Sequence, residues 1–140
     1  MTAIRKRKKS NKMKTKKLLL LLPFLFFAFT AGFAQTAEAP SEIVSALDDG
    51  DASRLSSFFI SNVNLIVGNK NDYYSKQQAA GIIADFFRNN KVSSFGVIHV
   101  VAKESSIVTI GNLKTSGGTY RVYIITRKAG SQSVIEQLRI

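Results

Sequence analysis

His99 is the one imidazole among 140 residues, and no cysteine accompanies it. Histidine changes charge near neutral pH, which makes His99 the first candidate for general acid–base chemistry. Such a base needs a carboxylate to orient it. Asp85 is the preferred partner, with Asp72, Glu104 and Glu136 as alternatives, and no spacing ties any of them to His99. One histidine without thiols gives no expectation of a transition-metal site, and no cofactor is implied. Asp48, Asp49 and Asp51 cluster around Gly50 but lack the alternating ligands and terminal glutamate of a calcium loop, so helix capping accounts for them better. Gly117-Gly118 is followed by no phosphate-loop lysine, and no G-x-S-x-G elbow is present.

Binding chemistry is the other option. Tyr74 and Tyr123 can line an apolar cavity and still offer a hydroxyl. With Phe59, Phe87 and His99 they are the expected lining of a pocket for a small apolar ligand. Arg121 and Arg127 fall on the same strand face as Tyr123 and are candidate contacts for an anion.

The charge needs to be placed before it is interpreted. Twenty basic residues against nine acidic ones give +11, but nine of the bases precede Leu18 and no acid lies among them. Leu18 to Ala34 then carries no charge at all. A basic run, an apolar run and a small-residue end make a secretory signal peptide, with cleavage expected between Ala34 and Gln35. The competing reading is an uncleaved envelope anchor; Pro23 and the absence of a following basic cluster weigh against it. Met13 also begins a signal of ordinary proportions, so residues 1–12 are an alternative, over-extended start. The rest of the chain is nearly balanced, with eleven bases against the nine acids. It has no basic stripe interleaved with aromatics, and nucleic-acid recognition is not expected. Membrane contact is expected only through the leader. The protein is thus expected to be exported, to the periplasm or beyond.

The elements that must position these residues follow from local patterns. Residues 35–40 are a short lead-in, and 41–140 form a single α+β domain. Ser41 is expected to cap a first helix carrying Ile43, Val44, Ala46 and Leu47, closed by Gly50 in a left-handed conformation. Asp51 caps a second, with Ala52, Leu55, Phe58 and Phe59 at helical spacing. Residues 62–67 read as a strand, and 68–72 as a turn. Ser75 and Gln78 form a capping box ahead of a longer helix whose stripe is Ala79, Ile82, Ile83, Phe86 and Phe87. Asn89-Asn90 ends it. Strands follow near 92–103, 106–115, 119–128 and 132–140, joined tightly into an antiparallel meander. Apolar residues occupy both faces around 97–102 and 122–125, unlike a sheet with one wet face. The sheet must therefore curl around a pocket, bury both faces within the domain, or meet a second copy as a homodimer.

The order of elements resembles the cone-shaped nuclear transport factor 2-like (cystatin-like, SnoaL-like) fold. More closely, the chain resembles the secreted domain-of-unknown-function family 4783 of Bacteroidetes. The resemblance lies in Tyr74-Ser75-Lys76-Gln77-Gln78-Ala79, Asp85-Phe86-Phe87, Ile110-Gly111-Asn112-Leu113, Tyr120-Arg121-Val122-Tyr123-Ile124 and Leu138-Arg139-Ile140. It covers roughly residues 40–140 and implies N-terminal helices packed on a curved antiparallel sheet. It carries no assigned activity, because fold does not select function. The expected role is an exported, non-catalytic binding or interaction module for a small apolar ligand, an envelope protein or a second copy. The alternative is a small isomerase- or dehydratase-like pocket enzyme using His99 with a carboxylate.

Overall fold

The computed structural model describes residues 36–140, so the expected leader and the alternative start at Met13 lie outside the described residues. Thr36–Ile140 is a compact unit with its own core. After an extended lead-in come α1 (Ser41–Asp48) and α2 (Ala52–Ser57), then β1 (Phe59–Val67), β2 (Lys70–Ser75) and α3 (Lys76–Asn89). Four strands complete the chain: β3 (Val92–Lys103), β4 (Ser106–Thr115), β5 (Gly118–Ala129) and β6 (Gln132–Arg139). All six strands form one sheet in the order β2-β1-β6-β5-β4-β3. This is the expected α+β class, with helices on one face of a curved sheet.

The capping chemistry is where the sequence placed it. The Asp51 side chain accepts the Arg54 backbone N–H at 2.9 Å. Ser75 and Gln78 exchange both bonds of the capping box. Gly50 takes the left-handed backbone. At α1 the cap position moves back by one residue: Pro40 occupies it with no side-chain bond, and Ser41 is the first helical residue.

Three expectations about strands are corrected. Residues 70–75 are not turn and helix approach but a strand, β2, paired antiparallel with β1. Its polar Lys70-Asn71-Asp72 start gives no apolar alternation, because an edge strand buries little. The loop is only Gly68–Asn69, with Gly68 at φ +58° as a glycine-first hairpin turn requires. Phe59 belongs to β1 rather than α2: the helix ends at Ser57, and Phe59 pairs with Ile135. The last four strands do form the expected antiparallel meander, but the sheet as a whole is mixed rather than antiparallel. β6 lies between β5 and β1 and pairs with β1 in parallel, Leu65 opposite Leu138.

Cross-strand register separates the two faces. The inner face carries Val63, Leu65, Leu113, Val122, Ile124, Ile135 and Leu138, all buried. Ile43, Ala46 and Leu47 of α1 and Ala79, Ile83 and Phe87 of α3 close over it. Register shifts in β1, β3 and β6 add local twist to the sheet. A close backbone approach occurs at Gly111, where a Cβ would run into the Phe95 ring and lie 2.6 Å from the Gly96 carbonyl oxygen.

Candidate functional site

α1 presents two stripes at helical spacing. Ile43, Ala46 and Leu47 enter the core, Val44 packs partly against it, and Ser41, Ser45 and Asp48 lie on the exposed side. Ser41, Val44, Ser45 and Asp48, the lead-in residues Ala37, Glu38 and Ala39, and Phe95, Val97 and Val100 of β3 line a wide-open cleft of about 660 Å³. Asp48 ties the two walls together, its Oδ1 accepting the Phe95 backbone N–H at 2.8 Å. The walls are mainly apolar, and no basic side chain lines them. A second cleft of about 530 Å³ opens beside Ser41, Arg54 and Phe58. Its Arg54 is already engaged by Ser45 and Asp49.

The expected catalytic pair is not assembled. His99 is exposed on β3 and stands opposite Ile110, on the outer face of the sheet. Asp85 lies on the helix side, exposed, and pairs with Arg88 at 2.7 Å. The sheet separates the two residues, so this pair cannot share a substrate.

The five expected pocket residues do not share a cavity either. Phe59 and Phe87 are buried in the core, and Tyr74 packs against its edge. His99 and Tyr123 are on the opposite face: His99 pairs with Ile110, and Ile110 pairs with Tyr123. Aromatic side chains on α3 and β1 supply core volume instead. The cleft is made by Val44, Phe95, Val97 and Val100. The signal for it was the two-sided apolar run in β3.

Arg121 and Arg127 do share the outer face of β5 with Tyr123, but they are six residues apart, about 20 Å along a strand. They cannot hold one small anion together. Arg127 is moreover bound by Glu136, the extra residue at the β6 register shift. The true neighbour of this group is Arg139, which stands opposite Tyr123 with its guanidinium 5.9 Å from the ring centroid. The acidic trio is also spent on structure: Asp48 on the Phe95 amide, Asp49 on Arg54, and Asp51 on the α2 cap.

Known proteins resemble this arrangement at two levels. A crystal structure of a DUF4783 family protein from Bacteroides ovatus is 33% identical, with a TM-score of 0.68 over 74% of this chain and 94% of that one. One from Bacteroides uniformis is 35% identical, with a TM-score of 0.67 over 73% and 94%. A designed nuclear transport factor 2-type protein with a long sheet shares the fold at 20% identity, with a TM-score of 0.56 over 71% and 92%. No curated protein matches the chain. The family described as Domain of unknown function (DUF4783) matches residues 40–140, and the chain belongs to that family.

Proposed function

We propose that the protein is an exported, non-catalytic binding module that takes a small apolar ligand in the cleft between α1 and β3. The observation that carries this reading is the cleft itself. About 660 Å³ falls within the size range of small-molecule sites, and its walls are formed by Val44, Phe95, Val97 and Val100. With Glu38 and Asp48 at its border and no base in its lining, it suits a neutral or cationic ligand and offers nothing to an anion. The separation of His99 from its preferred partner Asp85, and the engagement of Glu136 by Arg127, support binding over the acid–base alternative. Export rests on the leader-like segment up to Ala34.

Two measurements test the two parts. The chain has no tryptophan, so a neutral naphthylamine dye can be followed without a protein background. Saturable dye binding is expected, and Val97→Arg should abolish it while leaving the circular dichroism unchanged. Equal binding by both proteins would refute the cleft. N-terminal sequencing of the exported protein is expected to begin at Gln35; a retained leader would refute cleavage.

A further inference from the structure

The outer face of the sheet has no part in that reading, and no described helix packs on it. Register lays two rows of side chains across β6, β5, β4 and β3. One row is Arg139, Tyr123, Ile110 and His99. The next is Gln137, Ile125, Val108 and Val101. Adjacent strands are about 4.8 Å apart, so these rows form a continuous apolar centre. Tyr123 and Val101 remain 37% and 40% exposed, and the extra residue Ile98 is 52% exposed.

Charge on this face is one-sided. By register it carries Lys103, Lys114, Arg121, Arg127 and Arg139. Glu136, already bound to Arg127, is the only acid on it among the described residues. Arg121 and Arg139 flank Tyr123, one along its own strand and one across from it. Guanidinium forks on either side of a phenol are arranged to grip planar carboxylates.

We propose that the outer sheet face docks an acidic protein segment. Its aspartate or glutamate side chains meet Arg121 and Arg139, and its aliphatic side chains cover Ile110, Ile125, Val108 and Val101. Charge complementarity selects this occupant. A two-fold pair of identical copies would set the same patch against itself, basic residues included. A bilayer would want a cluster of protruding bulky side chains, whereas Val108, Ile110 and Ile125 at the centre of this face are half-buried among their neighbours.

The test uses residues 36–140, whose core is complete in itself. The probe is a fluorescent peptide alternating Glu or Asp with Val or Ile, compared by anisotropy with its lysine counterpart. Saturable binding of the acidic peptide alone is expected, weakening as salt rises. The double variant Arg121→Gln, Arg139→Gln should weaken it by about tenfold or more while the melting temperature holds. Cleft binding of the naphthylamine dye should be unaffected, which separates this proposal from the cleft reading. No binding of the acidic peptide, or binding unchanged in the double variant, would overturn the proposal. Tighter binding of an oligonucleotide or of phosphatidylglycerol vesicles would overturn it too. A dimer by light scattering that Tyr123→Glu dissociates would assign the face to a second copy instead.

Discussion

Replacing Thr109 by valine is expected to stabilise the protein, whereas the same replacement at Thr126 is expected to weaken it. Both side chains are 1% exposed, and both lie on the inner face of the sheet. The Thr109 hydroxyl has no hydrogen-bond partner, between Val100 of β3 and Ile124 of β5. The Thr126 hydroxyl donates to the Ile107 carbonyl at 3.3 Å. Valine keeps the branched shape and the strand preference, so the hydroxyl is the main variable. Burying a polar group without a partner costs about 1–3 kcal/mol, and its removal at position 109 should return about 1 kcal/mol of that. At position 126 the same change forfeits a made bond, a net loss of about 0.5–1.5 kcal/mol. For a domain of this length, 1 kcal/mol moves Tm by about 4 °C. Thermal melts followed by far-ultraviolet circular dichroism should therefore separate the two variants by about 8 °C, with the wild type between them. A fall in Tm for Thr109→Val would refute the reasoning, because it would mean that the hydroxyl is satisfied in solution. Shifts of the same sign at both positions would refute it equally.

Two further outcomes follow from close contacts. Gly111→Ala should lower stability by about 1–3 kcal/mol in denaturant titration, since the new methyl meets the Phe95 ring and the fixed Gly96 backbone. Asp48→Ala should cost about 0.5–1.5 kcal/mol by the same measurement and loosen the cleft, because the Phe95 amide loses its acceptor, though solvent screens this exposed carboxylate. Asp48→Asn retains an acceptor oxygen and should recover part of that loss.

What could be read in the sequence divides along a physical line. Ser75 with Gln78, Asp51 ahead of α2 and Gly50 after α1 act within three or four residues, so their types alone specify the geometry. The tight connections of the meander are of the same kind. β2 was hidden because Lys70-Asn71-Asp72 has no apolar pattern, and its pairing is imposed by the hairpin to β1. The parallel match of β1 with β6 joins Leu65 to Leu138, a partnership across most of the domain that no local pattern encodes. The anion candidates show the same limit. Face-sharing on β5 was legible from parity, but neither the capture of Arg127 by Glu136 nor the approach of Arg139 to Tyr123 can be seen without inter-strand register. Phe59 and Phe87 illustrate a further ambiguity, because composition does not distinguish an aromatic that fills a core from one that lines a cavity.

The placement of β6 between β5 and β1 has a consequence for how the molecule comes into being. Within the sheet, the hairpin of β1 and β2 and the run of β3 to β5 share no strand pairing until β6 enters between them. Its backbone and its Ile135 and Leu138 side chains join the two halves. Such a sheet cannot be completed until β6 has been made. A nonsense mutation that removes only β6 would leave two incompletely paired β-sheet halves, a substrate for proteases rather than a shortened protein.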